Sequence, residues 1–148
     1  MFLDDLLKLA DAQTTTYSTA SGSTLNTVAV GESYEGAWFY CRVDTTFVTG
    51  AGVCFAEFQL QTDTLSTMNA GTTLLNSATF PVATLVRGFE YKARIPPGVK
   101  QFLRGYMKVT SHEHVALGAG SDTDFFSTAV YDMFIVKDVE VANTGVLA

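Results

Sequence analysis

Charged side chains and cysteines are both scarce in this chain of 148 residues. Charged residues make up 16% of it and apolar residues 47%, a balance too poor in charge and too rich in hydrophobic surface for a disordered protein. The two cysteines, Cys41 and Cys54, both lie in apolar, strand-like runs. We expect them to be small buried hydrophobes in a reducing compartment, and a disulfide between them stays open but is not favoured.

Long apolar runs are also missing. No stretch approaches the roughly 20 apolar residues that a membrane helix needs. The segment Met1–Leu7 is acidic where a secretory signal would be basic, and it lacks an apolar core and a cleavage site. No linker of different composition divides the chain, whose length is typical of one domain. We therefore expect one soluble domain that is made in the cytoplasm.

The charge balance argues against nucleic acid as a partner. Nine basic and fifteen acidic residues give a net charge of -6, which repels nucleic acid backbones and anionic membranes. One stretch is nevertheless basic, with Glu90 as its only carboxylate. Its cations are Arg87, Lys92, Arg94, Lys100, Arg104 and Lys108. This stretch is either an ordinary solvated sheet face, which charge alone favours, or a contact surface for an acidic partner protein.

Motifs that carry chemistry are weak or absent. The histidine cluster His112–His114 lies in a loop and would need a third ligand to hold a metal. The Gly-Ala-Gly runs at 50–52 and 118–120 lack the lysine and the strand-to-helix setting of a phosphate-binding loop. Asp122 and Asp124 lack the twelve-residue calcium-loop pattern, and no Gly-x-Ser-x-Gly turn supports a serine nucleophile. We expect no catalytic, metal or cofactor site, so the protein is predicted not to be an enzyme.

From Thr14 onward the composition is that of β-strands and turns, rich in threonine, valine, aromatics and glycine. Two segments, Val53–Thr62 and Phe102–Thr110, alternate apolar and polar residues clearly. The apolar sets expected to face the core are Cys54, Ala56, Phe58 and Leu60 in the first and Leu103, Met107 and Val109 in the second. Glu57, Gln59 and Gln61 are placed on the opposite, outer face of the first, and Arg104 and Lys108 on that of the second.

Further strands are predicted along the rest of the chain. Ala37–Asp44 alternates with Trp38 and Tyr40 on its outer face. The other expected strands are Thr14–Ala20 and Thr24–Val30 around a hairpin turn at Ser21–Ser23, then Thr72–Phe80, Phe89–Ile95 and Phe125–Val136, the last with Phe125, Ser127, Ala129, Tyr131, Met133 and Ile135 on one side. About eight strands without a crossover helix predict an all-β fold, an antiparallel, jelly-roll-like β-sandwich over 14–136. The segment 1–13 is then a short N-terminal arm and 137–148 a C-terminal tail.

The arm carries an amphipathic pattern that is too short to hold as an isolated helix. Its apolar residues include Phe2, Leu3, Leu6 and Leu7. It either docks on a neighbouring subunit or closes one end of its own barrel, and the sequence does not choose between the two.

Several short stretches carry a resemblance to a known family. They are Leu3-Asp4-Asp5 with Asp11-Ala12-Gln13, Phe58-Gln59-Leu60-Gln61-Thr62-Asp63, Phe80-Pro81-Val82-Ala83-Thr84-Leu85-Val86-Arg87-Gly88, Arg94-Ile95-Pro96-Pro97-Gly98 and Phe102-Leu103-Arg104-Gly105-Tyr106. Together they resemble the capsid cement, or decoration, protein family of short-tailed bacteriophages. The chain departs from that pattern in its segment 136–148 and in a longer loop at 111–124.

The resemblance implies a structural jelly-roll protein of the virion, without a cofactor, made in the host cytoplasm. Such a protein would form a homo-dimer or homo-trimer and bridge adjacent major capsid proteins on the outer capsid surface. The residues expected to make these contacts are Phe2, Leu3, Leu6 and Leu7 as apolar anchors, Trp38 and Tyr40 as exposed aromatics, and Arg87, Arg94 and Arg104 as salt-sensitive contacts to acidic capsid loops.

Two other function classes compete with this interpretation. A carbohydrate-binding or receptor-binding β-sandwich module would use Trp38, Tyr40 and Tyr106 to stack on sugar rings. That alternative rests on fold analogy, which is a weak basis for function. A hydrolase with an unrecognised site is the third and least favoured.

Overall fold

Antiparallel β-strands form the regular structure of this computed structural model, which describes residues 8–14, 19–26, 36–51, 53–69, 71–111 and 125–136. Nine strands and no helix occur within those ranges. The strands are β1 (Lys8–Thr14), β2 (Thr19–Asn26), β3 (Trp38–Ala51), β4 (Cys54–Asp63), β5 (Thr72–Asn76), β6 (Phe80–Pro81), β7 (Glu90–Arg94), β8 (Phe102–Ser111) and β9 (Phe125–Val136).

The strands form two sheets. Sheet A has the order β1-β9-β3-β7, and sheet B has the order β2-β8-β4-β5, with the two-residue β6 also paired to β4. Strands pair from the two ends of the chain inward, β1 with β9, β2 with β8, β3 with β7 and β4 with β5, as if one long hairpin had been rolled up. That pairing is compatible with a jelly roll. The prediction of an all-β, antiparallel sandwich is confirmed.

The core lies between the inner faces of the sheets. The predicted inward sets of β4 and β8 are buried, as are Phe39, Cys41 and Val43 of β3 and Ala37 just before it. Both cysteines are buried thiols outside any disulfide, as expected of small hydrophobes. The core-facing positions of β4 and β8 alternate strictly, because these two strands pair in continuous register over ten residues.

The two sheets approach each other closely at Gly105. It lies on the inner face of β8, and a Cβ atom placed there would collide with the Sδ atom of Met133 on β9. The Cβ and Cγ atoms of Met133 would also lie 3.5 Å from it. A glycine therefore makes room for a methionine of the opposite sheet.

The amino-terminal boundary of the β domain differs from the prediction. Residues 8–13, expected to belong to an arm, form most of β1, which pairs with β9 and buries Leu9 completely. A short amphipathic segment has little helical stability of its own, so pairing with an available sheet edge decides its conformation. The four predicted anchors Phe2, Leu3, Leu6 and Leu7 lie outside the described residues, as does the tail 137–148.

The predicted hairpin turn at Ser21–Ser23 is wrong. β2 continues through these residues and pairs with β8 on both sides of them, from Ala20 with Tyr106 to Thr24 with Arg104. Two extra residues of β2 are accommodated in that interval as a bulge. The small polar residues Ser21–Ser23 therefore mark an interruption in the pairing of β2 with β8, and the chain does not reverse direction at them.

Candidate interaction surface

A group of aromatic and basic side chains lies on the outer face of sheet A. Trp38 of β3 pairs with Arg94 of β7, and two residues further on Tyr40 pairs with Lys92 on one side and with Phe134 of β9 on the other. Side chains two residues apart on a strand point to the same face, so these five form one surface. We call Trp38, Tyr40, Lys92, Arg94 and Phe134 the cationic–aromatic patch.

Two cations lie over the indole of Trp38. The Arg94 Cζ atom is 4.9 Å from the ring centroid and the Lys92 Nζ atom is 5.8 Å from it. Arg94 Nη1 also donates a hydrogen bond to the carbonyl oxygen of Gly36 at 3.1 Å. Trp38 is partly buried and both cations are exposed. A cation–π contact at an exposed site contributes about 0.5–1 kcal/mol, so the two charges are held in place while staying accessible.

Tyr40 and Phe134 support the patch from within the sheet. Their rings stack at a centroid distance of 4.8 Å with 20° between the planes. Burial, and then the hydrogen bond and negative charge of Glu90, raises the pKa of Tyr40 to about 12. Tyr40 lies on the predicted outer face but is only 7% exposed, so it offers a partner little contact area of its own.

A carboxylate beside the patch connects three strands. Asp132 of β9 accepts a hydrogen bond from Arg42 Nη2 of β3 at 2.7 Å and one from the backbone N–H of Ala12 in β1 at 2.6 Å. Ala12 adopts a left-handed φ of 46°, which is uncommon outside glycine. Asp132 therefore fixes the irregular strand β1 against the sheet.

Arg87 lies along the same edge of sheet A as the patch, beyond β7. The bend that contains Arg87 runs alongside β3. The backbone N–H of Val43 donates to the carbonyl oxygen of Phe89, and that of Phe47 donates to the carbonyl oxygen of Leu85, each at 2.9 Å. Arg87 is exposed, and its own N–H donates to Thr46 Oγ1 at 2.8 Å. Arg87 and Arg94 therefore lie along the same border of β3, Arg87 in the bend and Arg94 in β7.

Arg104 does not belong to this surface. It lies on the outer face of β8 in sheet B, where its Nε donates to Gln61 Oε1 at 2.8 Å. Because β7 and β8 are consecutive in the chain but belong to different sheets, their outer faces point to opposite sides of the sandwich. The basic stretch expected from the sequence is therefore divided, with Lys92 and Arg94 on one face and Arg104 and Lys108 on the other.

Arg104 instead begins a hydrogen-bonded row along β4. Gln61 Nε2 donates to Gln59 Oε1 at 3.3 Å, and Gln59 Nε2 donates to Glu57 Oε1 at 2.8 Å. We call Glu57, Gln59, Gln61 and Arg104 the polar row. Strand periodicity placed these side chains on the outer face correctly, but gave no sign that the two glutamines are less than one-tenth exposed.

Reactive groups are few in the part of the chain that the structure describes. It contains no cluster of three or more histidine, cysteine or acidic residues that could hold a metal ion. Burial raises the pKa of the Cys41 thiol well above its usual range, which disfavours the nucleophilic thiolate. His112–His114, Asp122 and Asp124 lie outside the described residues. No helix in the described ranges is long and apolar enough to cross a membrane.

Comparison with known proteins adds no family assignment. A scan against protein-family models and a search of curated proteins both found no match. The resemblance to capsid cement proteins therefore stays a prediction, and the residues themselves carry the functional argument.

Proposed function

We propose that the protein is a structural capsid cement protein that binds the outer surface of a phage head and bridges adjacent major capsid proteins. The observation that supports this best is the cationic–aromatic patch, a tryptophan with two cations fixed over its ring on an outer sheet face. The resemblance noted in the sequence suggests the major capsid protein as the partner. The cationic–aromatic patch is a surface that suits contact with such a protein.

The composition of the patch is that of a protein-binding surface. Tryptophan, tyrosine and arginine contribute most of the binding energy at protein interfaces, and a small number of such residues dominates. Arg94 is held by both the indole and Gly36, so less side-chain entropy is lost when it meets a carboxylate. Lys92 and Arg94 are exposed, so their attraction to acidic capsid loops would weaken as salt rises.

Self-association belongs to the same proposal. A symmetric dimer or trimer presents several copies of the patch to a shell that itself repeats. Linking individually modest contacts raises the overall affinity by about 100-fold to 10,000-fold without any new contact. A rigid sandwich suits this role because the spacing between copies of the patch stays fixed.

The amino-terminal anchors Phe2, Leu3, Leu6 and Leu7 remain candidates for a second contact. A clean test deletes residues 1–7 only, because Leu9 and Ala10 are buried in the domain core. A deletion reaching residue 11 would remove part of β1, so any loss of binding would have two explanations. The shorter deletion is expected to leave a folded domain that no longer decorates shells.

The proposal is tested by co-sedimentation of the purified protein with expanded phage heads that lack it. Wild-type protein should pellet with the shells and be released as salt rises. Trp38→Ala and Arg94→Gln should weaken binding about tenfold or more, the loss expected of a central interface residue. Lys100→Gln removes an exposed charge outside the patch and serves as the charge-matched control, which should bind as the wild type does.

Failure to pellet with any shell that lacks the protein would overturn the proposed function. Normal decoration by both patch variants would overturn the assignment of the contact surface while leaving the function standing. Each variant is first shown to keep its unfolding midpoint, so that lost binding reports on the surface and not on the fold.

A further inference from the structure

Strand β7 forms one border of sheet A. Among the described strands, none follows it in the order β1-β9-β3-β7. Its outer side chains, Glu90, Lys92 and Arg94, are exposed, and its inner ones, Tyr91 and Ala93, are partly exposed. The inner residues of the neighbouring β3 are buried by comparison. Solvent therefore reaches β7 from both faces of the sheet.

Hydrogen bonds at the two ends of β7 show which way its backbone groups point. The N–H of Ile95 donates to the carbonyl oxygen of Ala37 at 2.8 Å, and the carbonyl oxygen of Phe89 accepts from the N–H of Val43 at 2.9 Å. In an antiparallel pair the backbone groups of successive residues point to alternate sides. Because β3 and β7 pair without a register shift, the backbone groups of the odd-numbered residues of β7 face β3. Those of the even-numbered residues point away from β3, toward the border.

The charges on β7 are complementary to those on a second copy of the same strand. In antiparallel pairing about Tyr91, Glu90 of each chain lies directly opposite Lys92 of the other. Opposite charges in such positions stabilise the pairing, and like charges destabilise it. Pairing about Lys92 would instead place two lysines opposite each other. Charged residues often protect a sheet border from pairing, but the alternating sign here favours one register of β7 with itself.

The inner face of β7 suits the same register. Tyr91 belongs to an aromatic cluster, since the ring of Phe80 lies 6.2 Å from that of Tyr91 and 5.0 Å from that of Phe89. All three rings are only partly buried. In pairing about Tyr91, the two Tyr91 side chains would lie directly opposite each other, and aromatic pairs across antiparallel strands are stabilising. The pairing would therefore cover aromatic surface that each single copy leaves partly exposed.

We propose that β7 pairs antiparallel with β7 of a second copy of this chain, with Tyr91 at the two-fold axis. Such pairing closes at two copies, so it selects a dimer over a trimer. Directly opposite residues of paired strands share a face, so both cationic–aromatic patches would lie on the same side of one continuous sheet. The inference rests on the self-association in the proposed function and specifies its interface. A border strand of five residues makes a small contact, so the dimer is expected to be weak in solution.

Sedimentation velocity of the purified full chain, without shells and over a range of protein concentrations, measures the dimer. Glu90→Lys and Lys92→Glu each bring like charges together twice in the dimer and should weaken it about tenfold or more. The exchange Glu90→Lys/Lys92→Glu restores opposite charges and should recover most of the affinity. Lys100→Glu reverses an exposed charge outside β7 and should associate as the wild type does.

Cysteine cross-linking tests the register and detects a weak dimer as well. Hydrogen-bonded residues opposite each other have Cα atoms about 5.5 Å apart, which a disulfide can span. A mixture of Glu90→Cys and Lys92→Cys proteins should form a disulfide-linked dimer on mild oxidation, and one Glu90–Lys92 pair stays intact in it. Neither protein alone should do so. The native cysteines are buried, so they do not compete.

Three results would overturn the proposed dimer. They are a monomer at every concentration without a mixed cross-link, a cross-link of Lys92→Cys with itself, and a charge exchange that recovers no affinity. Because no shell is present in these experiments, any of the three leaves the proposed capsid function standing. A dimer that fails to bind shells would overturn that function and leave this interface in place.

Discussion

Arg42 and Asp132 form an ion pair of 2.7 Å between β3 and β9 on the outer face of sheet A. The two partners differ in environment, since the Arg42 side chain is 42% exposed and that of Asp132 only 10%. Water can therefore solvate the arginine if the pair is broken, but not the carboxylate. The same carboxylate accepts the N–H of Ala12, so the pair also determines how β1 is held.

Replacing Arg42 by methionine should destabilise the protein by about 1–3 kcal/mol, because it leaves a nearly buried carboxylate with one hydrogen bond. The double variant Arg42→Met/Asp132→Asn should recover part of that loss, since no charge is then left buried. Urea unfolding of the two single variants and the double variant measures the coupling. Strictly additive effects would show that the pair contributes nothing measurable.

The contact between Gly105 and Met133 predicts a second coupling. Gly105→Ala should cost about 1–3 kcal/mol by overpacking, and Met133→Ala about 2–5 kcal/mol by leaving a cavity. In the double variant the new methyl group enters space that the methionine has vacated, so the combined cost should be smaller than the sum. Unfolding free energies of all three variants provide the check, and a combined cost equal to the sum would contradict the close approach of the sheets.

Tyr131 has a hydroxyl that is buried in the core without a hydrogen-bond partner among the described residues. Burial raises the pKa of that hydroxyl. Tyr131→Phe should therefore leave stability unchanged or raise it, because an unsatisfied polar group is removed at little change in volume. Tyr40→Phe is the matched control and should cost about 1 kcal/mol, since that hydroxyl bonds Glu90. A comparable loss in Tyr131→Phe would reveal a partner for its hydroxyl.

Stability should fall in alkaline solution. Burial raises the pKa of Cys41 well above its usual range and contributes most to raising that of Tyr40 to about 12. Above about pH 9 the unfolded chain loses these protons while the folded chain keeps them, so the folded state binds more protons and is destabilised as pH rises. The slope reaches about 1.4 kcal/mol per pH unit for each group.

Urea midpoints measured from about pH 8 to about pH 11 test that slope. Cys41→Ala and Tyr40→Phe should each make the decline shallower, because each removes one of the groups that ionise only on unfolding. A midpoint that stays constant over this range would mean that both groups ionise in the folded protein.

Strand periodicity predicted the centre of the fold better than its margins. β4 and β8 pair without a register shift, so alternation along each sequence identifies the side chains that face the core. β9 has several register shifts where it pairs with β3, and there Phe126 and Ala129, three residues apart, both face inward. The expectation that Ser127 shares one side of the strand with Ala129 and Tyr131 is therefore wrong, since Ser127 is exposed and the other two are buried. A bulge changes the face of every residue beyond it, and local sequence does not reveal it.

The sequence indicated which residues belong to the interaction surface more successfully than it indicated which of them lie next to each other. Trp38 was expected on an outer face and Arg94 at a salt-sensitive contact, but only the pairing of β3 with β7 brings them together. Arg104 was assigned to the same surface because it is close in sequence, and the change of sheet between β7 and β8 separates it. Which strands neighbour each other is a long-range property, set by how the whole chain packs.

The most direct test of the proposed contact surface is a cryo-electron microscopy map of phage heads decorated with this protein. The account predicts that the outer face of sheet A meets the shell, with Trp38 and Arg94 in contact with acidic loops of the major capsid protein. A map in which the protein is absent from the shell, or in which that face points to solvent, would contradict it.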